Sequence, residues 1–435
     1  MAATTTARRV AELTPVSRNR YVDLLRAASI LVVVLGHWTM AAVTVRGGEV
    51  VPGHVLVLAP WTHPLTWLFQ VMPVFFLVGG YANALSWRAA VRRGESYGSW
   101  LRARARRLTL PVVPVLLLWS GVGWVSIELG VSWETVRLAS TVALVPTWFL
   151  AAYVLVVAVA PATSWAWRRW GWWSLLAGSA AALAVDAVSL GTGSIAVGFV
   201  NYLVVWATVH QLGYAWVDGA IASRGRRAAL LAVGLAGAVA LVVLGPYPVS
   251  MVGVDTATVN NTYPTRATLL FLGAFQAGAV LLLEPAGRRV AAEARTWAAV
   301  VGLNTRIMTI YLWHVTAMVT VIGVSLHAAG VGLRSEPLSV SWWLTRPVWY
   351  LVLAVATAVF VAVLGRFEQV GADTRQPPPT WRPVVAVLGV CAGLGTLAVV
   401  GIAGPDGVHL WPVALALSAL LVGGVGRRPR CVRPR

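Results

Sequence analysis

The stretch DLLRAASILVVVLGHWTMAAVTV, from Asp23 to Val45, is apolar and long enough to cross a lipid bilayer, yet it contains Arg26 and His37. Charged or titratable side chains inside a membrane are costly, so they usually face a bundle interior or a wet cavity and serve a function. On an α-helix, eleven residues place these two side chains on the same face, about 16 Å apart along the axis. The stretch predicts a first transmembrane helix with a cation near one membrane surface and an imidazole near mid-membrane.

The composition of the whole chain is that of a membrane protein. Of its 435 residues, 58% are hydrophobic and only 11% are charged, whereas soluble proteins are roughly 25% charged. Apolar runs of about twenty residues recur along the chain, and they are too long for the roughly 10-residue alternating strands of a membrane barrel. The sequence predicts an all-α polytopic membrane protein with about 10–12 transmembrane helices, located in the cell membrane.

Twelve apolar runs are long enough to be candidate spans. Their approximate ranges are 24–45, 65–87, 108–129, 143–162, 172–190, 195–216, 228–245, 267–284, 307–329, 342–364, 384–403 and 408–425. The pair within 172–216 is the least certain, because the loop that connects its two runs is short.

The positive charge follows the topology of these spans. The net charge of +19 comes from 34 basic residues, all of them arginine. If the N-terminus is cytoplasmic, 28 arginines lie in inner segments and five in outer segments, and Arg26 is the remaining one. Because cytoplasmic loops are enriched in Lys and Arg, this bias predicts that both termini are cytoplasmic. It also explains the charge without a nucleic-acid partner.

The segments outside the spans define the expected domain organisation. Residues 1–17 form a predicted cytoplasmic tail, and 366–383, which contains GADTRQPPPTW, forms a Pro-rich cytoplasmic linker. The linker separates ten spans from two additional spans within 384–425. Residues 426–435 form a basic cytoplasmic tail.

The opening motif of the chain resembles that of a known enzyme family. RYVDLLRAASILVVVLGH contains an acidic residue, an arginine, ten further residues and a histidine, which here are Asp23, Arg26 and His37. This arrangement resembles the first motif of the membrane acyltransferase 3 family.

Three further stretches follow in the order found in that family. Met72–Trp87 resembles the second span of the family, although Gly79 precedes Gly80 where a serine is usual. Pro146–Pro161 resembles the Trp-Phe-Leu span, and NTRIMTIYLWH resembles the late motif that ends in Tyr-Leu-x-His. The resemblance covers about 18–365, which is therefore the expected acyltransferase 3-like membrane domain.

The resemblance implies transfer of an acyl group from a cytoplasmic acyl-CoA, with acetyl-CoA as the expected donor. The acceptor would be a hydroxyl of a glycan, a glycolipid or a small molecule, as in O-acetylation at the cell envelope. His37 would be the essential histidine, Arg26 would help to bind the donor, and His314 is a second catalytic candidate. Substrate-binding roles are expected for Arg26, Asp23, Trp148 and Tyr311. The expected partners are acyl-CoA as co-substrate, the acceptor and membrane lipid; no permanently bound cofactor and no metal is expected.

The residue types suit this chemistry. A neutral imidazole can take the proton of an acceptor hydroxyl near pH 7. An arginine stays charged and can bind phosphate oxygens in a bidentate manner. The pantetheine arm of a CoA whose phosphates stay near the cytosol is long enough to reach about three helical turns deeper.

Other interpretations remain open at this stage. Arg26 could lie at the interface, and His37 and His314 could be packing histidines that form hydrogen bonds between helices. Twelve spans also suit a secondary transporter, although the two halves show no clear similarity. A non-catalytic scaffold or flippase-like subunit is a third reading. His54 and His63 are expected to have ordinary loop roles.

Overall fold

The computed structural model of the protein describes residues 12, 14–15, 18–46, 49–254, 258–369, 371 and 376–425. The predicted tail 426–435 lies outside the described residues, as do most of the tail 1–17 and part of the linker 366–383. The domain boundaries stay predictions.

The apolar runs form helices because lipid offers no hydrogen-bond partners to the backbone. Within the described residues there are nineteen α-helices. They are α1 (Arg20–Met40), α2 (Val55–Leu58), α3 (Thr66–Phe69), α4 (Met72–Arg92), α5 (Tyr97–Thr109), α6 (Val113–Glu128), α7 (Trp133–Leu144), α8 (Pro146–Trp170), α9 (Trp172–Thr192), α10 (Ile195–Gly198), α11 (Asn201–Val217), α12 (Arg224–Leu244), α13 (Ala267–Leu282), α14 (Glu284–Ala292), α15 (Ala294–Thr305), α16 (Ile307–His327), α17 (Val340–Leu364), α18 (Trp381–Val400) and α19 (Trp411–Val422).

These helices confirm the predicted fold class. Ten helical segments among the described residues are long and apolar enough to cross a membrane. The number is eleven if α13 and α14, which are bent by 57° at their junction, form one broken span. The twelfth predicted run corresponds to α19, a shorter apolar helix. The protein is an all-α, multi-pass membrane protein.

The first predicted span ends earlier than its hydropathy suggests. Helix α1 ends at Met40, and the chain then forms a small antiparallel sheet of β1 (Thr44–Arg46) and β2 (Glu49–Val51). The β-branched residues of these two segments favour strands. Consequently His37 lies in the last turn of α1. That it lies near mid-membrane stays a prediction.

The chain divides into two compact units, and each is described by itself. The first comprises the described parts of Met1–Val43, Pro52–Ser86 and Val159–Ile307. The second comprises those of Thr44–Val51, Trp87–Ala158 and Met308–Arg435, with a second small antiparallel sheet of β3 (Ala403–Gly404) and β4 (Gly407–Val408).

Close helix contacts in the first unit depend on small residues. A Cβ atom added to Gly80 of α4 would lie 1.9 Å from the backbone oxygen of His210 in α11. A Cβ added to Gly234 of α12 would lie 2.1 Å from the backbone nitrogen of Phe275 in α13. Glycines at these positions let the helix backbones approach, which is the usual way in which membrane helices pack.

A buried charge cluster joins α9 to the segment that precedes α13. Asp186 is fully buried and lies 3.2 Å from Nη1 of Arg266. It also accepts hydrogen bonds from Asn201 Nδ2 at 2.9 Å, the Tyr247 hydroxyl at 3.1 Å and the Ala267 backbone N–H at 2.8 Å. Because a buried carboxylate needs such partners, this cluster fixes the long loop between α12 and α13 to the helix bundle.

In the second unit, the last two helices pack against earlier ones. Helix α18 contacts α5, α7 and α19. The Cys391 thiol of α18 donates to the Ala151 carbonyl at 3.2 Å. The backbone N–H of Ile402, just after α18, donates to the Ser140 hydroxyl at 3.3 Å. The helical pair α18–α19 is therefore an integral part of this unit.

Candidate active site

The first turn of α1 carries an acid between two arginines. Asp23 is 6% exposed, and its Oδ2 accepts a hydrogen bond from Nε of Arg18 at 2.6 Å. Its Oδ1 lies 3.8 Å from Nη1 of Arg26, whose side chain is 32% exposed. The hydrogen bond to Asp23 raises the pKa of Arg18 above its ordinary value. Asp23 therefore orients two permanent cations, and Arg26 keeps enough exposure to meet a ligand.

Residues near the start of the late motif complete this cluster. The Asn304 amide donates to the Asp23 carbonyl and to the Val300 carbonyl, both at 2.9 Å. Its buried Oδ1 has no hydrogen-bond partner among the described residues. The guanidinium of Arg20 lies 4.9 Å from the centroid of the Trp297 ring. The opening motif and Asn304 are thus in direct contact, which sequence spacing could not show.

His37 lies in the last turn of α1, where it is partly buried. His54 is within electrostatic range of His37, and Ala41, just after α1, forms a β-bridge with His54. Nδ1 of His54 accepts the Leu56 backbone N–H at 3.2 Å, so this ring caps the short helix α2. The loop thus places a second imidazole near His37, although the two histidines are far apart in sequence and no spacing rule connects them.

His314 is fully buried in the third turn of α16. Its Nδ1 lies 2.7 Å from the Tyr311 carbonyl and 3.2 Å from the Ile310 carbonyl. Because a carbonyl oxygen only accepts, Nδ1 carries the proton, and the lone pair of the neutral ring lies on Nε2. The backbone thus fixes His314 in the tautomer in which Nε2 can act as a base.

Tyr311 and Trp148, the two aromatic residues predicted to bind substrate, are linked to each other by ring contacts through Phe149. The Tyr311 hydroxyl donates to the Pro146 carbonyl at 2.7 Å, and its ring packs edge-on against Phe149 at 5.6 Å. Phe149 in turn packs against Trp148 at 6.2 Å. The third and fourth motifs are therefore in contact, and Tyr311 helps to fix α16 to α8. That Trp148 and Tyr311 bind substrate stays a prediction.

The predicted site residues thus fall into two groups. Asp23, Arg26 and His37 share α1 in the first unit. Trp148, Tyr311 and His314 belong to the second unit.

An acid outside the sequence motifs holds the start of the helix that carries His314. The Glu368 carboxylate accepts the backbone N–H groups of Met308 and Thr309, both at 3.0 Å, and the Thr309 hydroxyl at 2.7 Å. The first N–H groups of a helix have no partner within the helix, and its N-terminus favours negative charge. Glu368 therefore caps α16 and helps to position Tyr311 and His314.

We expect Glu368→Ala to lower the free energy of unfolding by about 1–2 kcal/mol, because two N–H groups lose their cap. Glu368→Gln should recover most of this loss, since the amide oxygen still accepts. Thermal unfolding in lipid nanodiscs measures both variants. Glu95→Ala, which removes an exposed acid paired with Arg93, is the control and should change little. Equal stability of Glu368→Ala and the wild type would contradict a capping role.

The fold and these residues define a multi-pass membrane protein whose first helix carries a motif typical of membrane-embedded acyl transfer. The model of a protein family described as an acyltransferase domain (Acyl_transf_3) matches residues 19–366, which is about four fifths of the chain. The chain therefore belongs to this family and is a membrane acyltransferase, as the sequence motifs predicted. No curated protein and no solved structure was found to match it.

Proposed function

We propose that the protein moves an acyl group, with acetyl as the expected one, from a cytoplasmic acyl-CoA to a hydroxyl of a glycan, a glycolipid or a small envelope molecule. The observation that carries this proposal is the arrangement of α1. Asp23 and Arg26 in its first two turns form a cluster with Arg18, which precedes the helix, and its last turn holds His37. On a helix, Arg26 and His37 are about 16 Å apart along the axis, which suits a donor with a charged head and a distant reactive carbon.

The arginine cluster supplies the donor end of this arrangement. Guanidinium groups bind phosphate oxygens through paired, charge-assisted hydrogen bonds. Asp23 holds two of these groups in place, and Asn304 ties the Asp23 backbone to α15. With the CoA phosphates bound here, the pantetheine arm would extend along α1 towards His37.

At the other end, His37 would act on the acceptor. Its basic nitrogen takes the hydroxyl proton while the oxygen attacks the thioester carbonyl carbon. The carbon–sulfur bond then breaks, and the leaving CoA thiolate takes the proton from the imidazolium. In the alternative route the His37 nitrogen itself attacks and forms an acyl-imidazole, which the acceptor hydroxyl then cleaves. Both routes give the acyl ester and free CoA thiol.

The test follows release of CoA thiol from a panel of short acyl-CoAs by purified protein in nanodiscs. We expect Arg26→Gln to raise KM for the donor by roughly 10- to 100-fold, because one charge-assisted hydrogen bond contributes about 1.5–3 kcal/mol. Arg93→Gln is the control, since the ion partner of that exposed arginine among the described residues is Glu95, in a segment outside the helices. An unchanged KM would remove Arg26 from donor binding. Absence of thiol release with every donor and acceptor tried would count against the proposed donor class.

A further inference from the structure

Arg346 is a buried cation in the second turn of α17. It is 4% exposed and lies on the inward face of the helix with Trp342, Leu353 and Thr357. Its guanidinium carbon lies 4.3 Å from the centroid of the Trp342 ring and 5.5 Å from that of Trp349. Two indole rings therefore hold the planar group by cation–π contacts.

No acid neutralises this cation among the described residues. The nearest acid before it in the chain, Glu336, is exposed and pairs with Arg46. The hydrogen bond that Arg346 makes to protein runs from Nε to the Trp342 carbonyl at 3.3 Å. Within the described part of the chain, its two terminal nitrogens have no hydrogen-bond partner, yet neither nitrogen is completely shielded from solvent. A small part of their surface is therefore accessible from outside the protein.

The position of Arg346 in the helix makes an unpaired cation unfavourable. The N-terminus of α17, capped by the Ser339 hydroxyl, carries partial positive charge. A buried cation close to this end is repelled by the helix dipole, and cation–π contacts offset only part of the cost of burial. An anion would be attracted both by the guanidinium and by the helix end.

We propose that Arg346, between Trp342 and Trp349, binds a phosphate-type oxyanion. The planar fork of terminal nitrogens can hold two oxygens of one phosphate group. The neighbouring Trp343 and Leu344 are exposed and apolar, as expected of a helix end near the lipid headgroups. The phosphate is supplied by the headgroup of an anionic lipid or by a soluble phosphate compound. This site does not depend on the proposed acyl transfer.

The test uses the full-length protein in phosphatidylcholine nanodiscs, with phosphatidylglycerol added as one probe and inorganic phosphate as the other. We expect at least one probe to raise the unfolding temperature of the wild type, and Arg346→Gln to lose that rise. A response to phosphatidylglycerol alone identifies a lipid headgroup, and a response to inorganic phosphate identifies a soluble source. Arg334→Gln, an exposed arginine bound to the Ala329 carbonyl, should respond as the wild type does.

Two results would overturn the proposal: no response of the wild type to either probe, or an equal response of Arg346→Gln. If Arg346→Gln does not fold, Arg346→Lys carries the test, because lysine keeps the charge but lacks the planar fork. We then expect at least tenfold weaker binding of the effective probe, and unchanged binding would contradict the site.

Discussion

Replacing His37 by alanine is expected to lower kcat for acyl transfer by about 10²- to 10⁴-fold, the usual contribution of a positioned general base. Donor affinity should stay within a few-fold of that of the wild type, because the Arg18–Asp23–Arg26 cluster lies at the other end of α1. Release of CoA thiol measures turnover, and equilibrium binding of a non-hydrolysable acyl-CoA analogue measures affinity.

His327→Ala is the matched control, because His327 is an exposed histidine in the last turn of its own helix, α16. Turnover by His37→Ala equal to that of the wild type would remove His37 from the chemistry. If His314→Ala then abolished turnover, Nε2 of His314 would be the base. A labelled acyl group that stays on the protein after denaturation, and is absent from His37→Ala, would identify the acyl-imidazole route.

The second large effect concerns stability. We expect Asp186→Ala to lower the free energy of unfolding by about 3–5 kcal/mol, because it leaves Arg266 buried without its counter-charge. The double variant Asp186→Ala with Arg266→Met should be more stable than the single variant, since the uncompensated charge is then removed as well. Denaturant unfolding in mixed micelles compares the three proteins.

The control for this prediction is Glu336→Ala. Its partner Arg46 is 57% exposed and Glu336 itself is 61% exposed, so the loss should be about 0–1 kcal/mol. If Asp186→Ala lowers the free energy of unfolding by no more than Glu336→Ala does, then water or local rearrangement compensates the buried charge of Arg266.

The helices could be predicted because their cause is local. A run of apolar residues in lipid must satisfy its own backbone, and run length then sets the number of spans. The end of α1 could not be predicted in this way. Ala42 to Val45 are as apolar as the helix before them, and an apolar run of this length is compatible with either helix or strand.

The residues of the candidate site likewise divide into those that could be predicted from the sequence and those that could not. Arg26 and His37 were recognised together because helix periodicity relates residues that are close in sequence, and Asp23 was added by the resemblance of the opening motif. The contacts of Asn304 with Asp23 and of Glu368 with Thr309 join residues 281 and 59 positions apart, so no spacing rule could give them. The Asp186–Arg266 pair is likewise separated by 80 positions. Tertiary packing alone brings these groups together.

The pair α18–α19 has a consequence for exchanging parts between relatives. The family match ends at 366, before these helices begin, yet α18 packs on α5 and α7 in the same unit. A chimera that grafts the matched region alone onto another protein would uncover the faces of α5 and α7 that now lie against α18. A chimera that contains this enzyme therefore has to include helices α18 and α19 together with the matched region.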